Sequence, residues 1–161
     1  MVSIRFSGKL PLLALILSAA TLSACSSGDA KDPVARGQEA VVARDCGSCH
    51  TPKADPAKTL SGSDVPYEKT NAYPQNLTPD DETGIASWSD DLIVRAILSG
   101  IDDEDEELCP TMPRFQETGM TESEARDIAA YLRTLTPVKH SIPESTCPPI
   151  KGGDGPADGG S

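Results

Sequence analysis

Five consecutive residues carry the most specific chemistry in this 161-residue chain: Cys46, Gly47, Ser48, Cys49 and His50. Two thiols separated by two small residues at the end of a helix can add to the two vinyl groups on one edge of a porphyrin, and the next residue then brings an imidazole beneath the iron. The spacing is the attachment pattern of a c-type haem. His50 is its expected proximal ligand, with the other ring nitrogen donating to a backbone carbonyl that fixes the tautomer. The sequence does not assign that carbonyl, though Pro52 and the segment around it are near in sequence. Two other chemistries use the same residue types. A thioredoxin-like redox pair needs a βαβ setting, but here a helix precedes the motif and a Pro-rich loop follows. A zinc site needs a fourth ligand, and the second histidine, His140, stands beside a helix stop.

A sixth ligand for such an iron must come from elsewhere in the chain. Met112 sits in Cys109-Pro110-Thr111-Met112-Pro113-Arg114, an irregular Pro-braced segment able to present a thioether. Met120 precedes a helix cap, where a hydrophobic staple is the simpler role. Met112 is therefore the expected partner of His50 on the metal. Iron held by both has no open position, a ligation that raises the reduction potential and suits electron transfer better than oxygen chemistry.

The elements around these residues read as helices and long loops. Asp32 and Pro33 open a first helix by N-cap and first-turn proline, and it continues through Val34, Gln38, Val41 and Val42 to about Asp45, running directly into Cys46. Residues 51–81 show no sustained period and are expected to form an ordered loop around something. Residues 87–91 start a second helix, whose apolar face is Leu92, Ile93, Ala96 and Ile97 and whose stop is Gly100. The acidic run 102–107 reads as a solvated loop, with docking as its alternative role. Thr121 and Glu124 form a capping box for a third helix, with Ala125, Ile128, Ala129, Leu132 and Leu135 on one face and Pro137 as the stop. The expectation is an all-α domain of three main helices with long ordered loops around one covalently bound haem, spanning residues 33–147. Residues 148–161 are rich in Pro, Gly, Asp and Ser and are expected to be a disordered tail.

Aromatic residues make up only 4% of the chain, a thin supply of large apolar side chains that a bound apolar cofactor would supplement. Arg5, Lys9 and the apolar stretch 10–17 read as an export signal too short to span a bilayer stably. Leu22-Ser23-Ala24-Cys25 resembles a bacterial lipobox. Residues 1–24 are thus expected to be a lipoprotein signal peptide, Cys25 the lipidated residue and 25–32 a short tether. An ordinary signal peptide cut near Ala24 is the alternative. Ser26, with no Asp at that position, favours the outer membrane, with the domain on its periplasmic side. The formal net charge of −11 disfavours nucleic acid and anionic lipid as partners and favours basic protein surfaces.

The order of helix, Cys-Gly-Ser-Cys-His, Asn76-Leu77-Thr78-Pro79-Asp80, Thr83-Gly84-Ile85, Trp88-Ser89-Asp90-Asp91, Gly100-Ile101-Asp102, Met112-Pro113 and Tyr131-Leu132 resembles a bacterial class I cytochrome c. It is similar above all to the haem modules of cytochrome subunits of membrane-bound alcohol and aldehyde dehydrogenases. The resemblance implies a cytochrome c fold in which the first and last helices cross, with Gly37 giving room for Tyr131. It also implies that the stretch from Asn76 to Trp88 lines the haem edge and that Arg114 lies near a propionate. Those subunits have three attachment motifs and this chain has one, so their partner does not carry over.

Cys109 and Cys147 are even in number, lie in a chain read as exported and flank the last helix, so a disulfide is expected, with two free thiols as the alternative. The leading functional expectation is a one-electron carrier rather than an enzyme. Its alternatives are a fixed haem subunit of a larger dehydrogenase or oxidase, and a haem enzyme or gas sensor with an open distal position.

Overall fold

The computed structural model describes residues 31–147. The expected signal peptide, Cys25 and the expected tail at 148–161 lie outside the described residues. Within them the fold is all-α: α1 (Pro33–Ala43), α2 (Cys46–His50), α3 (Asp90–Ser99) and α4 (Glu122–Leu132), with a 3₁₀ turn at Phe115–Thr118 and a single isolated β-bridge between Ile101 and Glu107. No helix among the described residues is long and apolar enough to cross a membrane.

The core forms where α4 meets α1 and α3. Ala125, Ile128, Ala129 and Leu132 recur at helical spacing on α4 and are buried with Val41 of α1, Ile93 and Val94 of α3, and Leu60, Ile85, Phe115 and Met120 from the connections. Two capping events define the later helices. Ser89 accepts from the Leu92 N–H at 3.2 Å and Gly100 ends α3 with φ of 69°. Thr121 accepts from the Glu124 N–H at 3.2 Å. The expected capping box is only half present, because the Glu124 carboxylate reaches across to Arg44 instead, at 2.9 and 3.0 Å.

The first helix departs from expectation at its two ends. Asp32 stands at the N-cap without a side-chain cap bond, so Pro33 alone marks the start. Val42 is 75% exposed and Val41 is the buried valine. The helix ends at Ala43 rather than running into Cys46: Asp45 takes a left-handed conformation, φ 55°, and the motif occupies a separate helical turn. Aspartate tolerates that conformation, and Arg44 beside it is paired with Glu124 of α4.

Gly37 explains how closely α1 and α4 approach. A Cβ built there would lie 1.8 Å from the Asp127 carbonyl oxygen and 2.9 Å from the Tyr131 Cβ. Both helices therefore touch through backbone. Arg36 closes the same junction with a bidentate pair to the buried Asp127, at 2.6 and 2.7 Å. The obstacle is a carbonyl and not a flexible side chain, so Gly37→Ala should destabilise by at least about 1–3 kcal/mol. Urea unfolding should show a lower midpoint at unchanged slope; an unchanged midpoint would show that the helices can part freely.

Candidate haem site

Cys46 and Cys49 lie three residues apart on α2, hence on one face of a single turn, half-buried and unbonded. Cys109 and Cys147 are joined in a disulfide with Cα atoms 5.6 Å apart. Burial pushes the Cys46 thiol up, and the nearby Asp45 adds to the effect. That is the opposite of the depressed pKa by which thioredoxin-like cysteines react. Among the described residues no group of three or more His, Cys, Asp or Glu is placed to share a metal ion. His140 has its Nδ1 2.9 Å from the Ser61 carbonyl.

His50 has its Nδ1 2.8 Å from the Gln75 carbonyl oxygen. A carbonyl only accepts, so Nδ1 carries the hydrogen and Nε2 keeps its lone pair for a metal. Burial holds the imidazole below its ordinary pKa and so favours the neutral ligand form, while the bond to Gln75 acts in the opposite direction. The acceptor is thus 25 residues downstream and not in the segment around Pro52. Any residue can supply a carbonyl, so nothing in the sequence singles out Gln75. The His50 carbonyl in turn accepts from Gly62 N–H at 2.7 Å, which ties α2 to the long loop.

The two methionines separate by burial. Met120 is 5% exposed within the core, whereas Met112 is only partly buried against its edge. The Met112 N–H donates to the Cys109 carbonyl at 2.9 Å. Arg114 donates to the carbonyls of Leu108 at 2.9 Å and Met112 at 3.3 Å, and its guanidinium fills the space where a side chain on Gly100 would be. Arg114 therefore braces the methionine turn on the C-terminus of α3. A cavity of about 400 Å³ beside it is lined by Met112, Pro113, Arg114 and Glu117, and does not include Cys46, Cys49 or His50.

Asn76, 2% exposed, uses its whole amide within the loop. It donates to Thr83 Oγ1 at 3.1 Å and the Val138 carbonyl at 2.7 Å, and accepts from the Thr78 N–H and hydroxyl at 2.9 and 2.8 Å. Its contribution to a site is to hold the loop that supplies the Gln75 carbonyl. Trp88 is partly buried against the core, and its carbonyl accepts from Arg133, which also donates to the Ile85 carbonyl at 2.8 Å. Beyond the expected residues, the structure adds Gln75, Gly62, Arg133 and the segment 138–147, which runs along the long loop.

These residues fit a covalently bound haem. Two unbonded thiols sit on one turn, an imidazole has its metal-binding nitrogen free, and Leu77, Trp88, Ile97, Leu98 and Met112 remain only partly covered by protein. A flat apolar group would cover such surface.

The loop carries its own pH dependence. Asp80 accepts from the Thr83 hydroxyl at 2.7 Å, the Thr83 N–H at 2.8 Å and the Glu82 N–H at 3.2 Å, and these bonds, the hydroxyl foremost, hold its carboxyl below the usual range. A pKa depressed on folding stabilises above the unfolded value and is lost as pH falls through the folded one. Asp80→Asn should therefore be less stable than the parent by a constant margin at neutral pH, and the margin should close below about pH 4. A margin that persists into acid would show that charge is not involved.

Residues 34–136 match the Cytochrome c family profile. The chain is 33% identical over 109 residues to a nicotinate dehydrogenase subunit of Pseudomonas putida, an alignment covering 67% of this chain and 9% of that protein. It is 28% identical to the fructose dehydrogenase cytochrome subunit of Gluconobacter japonicus, covering 71% and 24%. It is also 28% identical to the gluconate 2-dehydrogenase cytochrome c subunit of Pantoea cypripedii, covering 85% and 31%. The chain thus spans under a third of the length of each of these relatives. With the attachment turn, the oriented histidine and this match over most of the described residues, the chain belongs to the cytochrome c family, as an electron-transfer module with a covalently bound c-type haem.

Proposed function

We propose that this chain is a one-electron carrier whose haem iron is held by His50 and Met112, tethered to the periplasmic side of a bacterial membrane through a lipidated Cys25. The observation that carries the ligation is the division of labour between the methionines. Met120 is spent in the core, whereas Met112 stands on a turn braced by Arg114 and tied to Cys109. When bound, the haem supplies a reversible one-electron change at its iron. The chain's part is to keep His50 neutral and oriented, to keep a thioether on a braced turn and to exclude other ligands.

The anchor rests on the lipobox-like Leu22-Ser23-Ala24-Cys25, and Ser26 favours the outer membrane. The acidic balance supports redox partners with basic docking surfaces, whose encounter would be steered electrostatically. A second reading is a haem subunit of a dehydrogenase complex, favoured by the three relatives, two of which are named as cytochrome subunits of dehydrogenases.

The ligation is tested by Met112→Ala in the haem-loaded protein. The parent should show the far-red thioether-to-iron charge-transfer band when oxidised and should not bind carbon monoxide when reduced. The variant should lose the band and bind carbon monoxide. A variant with the parent's spectrum would remove Met112 from the iron and transfer the role to another residue.

A further inference from the structure

Residues 138–147 follow the last helix and belong to no helix or strand, yet their contacts converge on both ligand positions. The Val138 carbonyl accepts from Asn76, and the Val138 N–H donates to Thr78 Oγ1 at 3.1 Å. The His140 N–H donates to Thr83 Oγ1 at 3.0 Å. Ile142 lies over Gly62, where an added Cβ would be 2.8 Å from the Ile142 Cγ1; Gly62, with φ of 86°, is the residue that donates to the His50 carbonyl. The Pro143 carbonyl accepts from the Gln75 amide at 3.3 Å. Ser145 Oγ accepts from the Tyr73 N–H at 2.8 Å, and the Thr146 N–H donates to the Asn71 carbonyl at 3.1 Å. Gln75, whose carbonyl orients His50, is therefore flanked by the segment on both sides of its own backbone.

The same segment ends at Cys147, bonded to Cys109, whose carbonyl accepts from the Met112 N–H. One unbroken run of contacts thus leads from the ring of His50 through Gln75 and residues 138–147 to the turn bearing Met112. We propose that residues 138–147 are a positioning strap that sets both residues that would hold the haem iron, His50 and Met112. Its middle keeps the Gln75 carbonyl on His50 Nδ1, and its disulfide end keeps Met112 seated. The second half rests on the assignment of Met112 as ligand, and the first does not.

The two halves should move the reduction potential in opposite directions. A weaker bond from His50 to Gln75 makes the imidazole a poorer electron donor and favours the ferrous state, so the potential rises. A loosened thioether removes the ligand that raises the potential, so it falls. Loosening also exposes the iron to competitors, because the binding-competent state becomes more populated.

The test uses the full haem-loaded chain in two forms. Ile142→Ala combined with Ser145→Ala frees the middle and leaves the disulfide in place. Its potential should rise with the thioether band retained. Cys109→Ser combined with Cys147→Ser frees the end. Its potential should fall, and its ferric form should bind added imidazole with a Kd lower by about tenfold or more. Circular dichroism matching the parent secures the fold in each case. If the cysteine variant does not mature, the middle variant alone decides. Potentials equal to the parent's in every variant obtained would overturn the proposal. If Met112→Ala keeps the thioether band, the ligation reading fails, and the strap then stands or falls on the potential of the middle variant.

Discussion

A histidine can give a metal a defined nitrogen only when the other is held by something that accepts its hydrogen. In this chain that condition is met by the carbonyl of Gln75, 2.8 Å from His50 Nδ1 and 25 residues away. The distance in sequence means that a long loop must be folded to a fixed shape before the ligand is correctly presented. Much of the molecule serves that end. Asn76 saturates its amide, Thr78 and Thr83 take up the chain beyond it, Asp80 holds the turn between them, and residues 138–147 press on the loop from outside. The loop has no regular structure of its own, so side-chain amides, hydroxyls and carboxylates supply the bonds that a ladder would otherwise provide.

Arginine does the corresponding work between elements. Arg36 and Arg44 fasten α1 to α4, Arg133 fastens α4 to the carbonyls before α3, Arg114 packs the methionine turn against Gly100 at the end of α3, and Arg95, midway along α3, pairs with Asp105 in the acidic turn. A planar guanidinium satisfies several acceptors at once, which suits junctions where carbonyls and carboxylates collect. With these five arginines turned to internal bracing, acidic side chains outnumber the remaining basic ones among the described residues. Structure and surface charge are thus two results of one distribution.

The parts of this arrangement that are legible in the sequence are those with local signatures. Thiol spacing identifies the attachment motif, and Ser89 with Gly100 and the face Ala125, Ile128, Ala129 and Leu132 identify α3 and α4, because spacing, caps and periodicity are properties of neighbouring residues. The break at Asp45 is not legible, because a non-glycine residue in a left-handed conformation leaves no mark in the text. Glu124 reads as half of a capping box and serves Arg44, 80 residues away, since a partner at that distance competes unseen. Gln75 and the strap are illegible for the same reason: their role lies in backbone carbonyls and in contacts that only the closed chain brings together. Asn76 and Arg114 enter by resemblance as residues at the haem edge and near a propionate, and the structure shows each braced against carbonyls.

All of this presupposes that a porphyrin is joined by thioether bonds to Cys46 and Cys49. The direct measurement is the intact mass of the protein after denaturation, read beside extraction into acidified organic solvent. The polypeptide should keep its colour and weigh more by one haem, and Cys46→Ala, Cys49→Ala together should abolish both. Colour passing wholly into the solvent, with a mass equal to the bare chain, would contradict the account at its root.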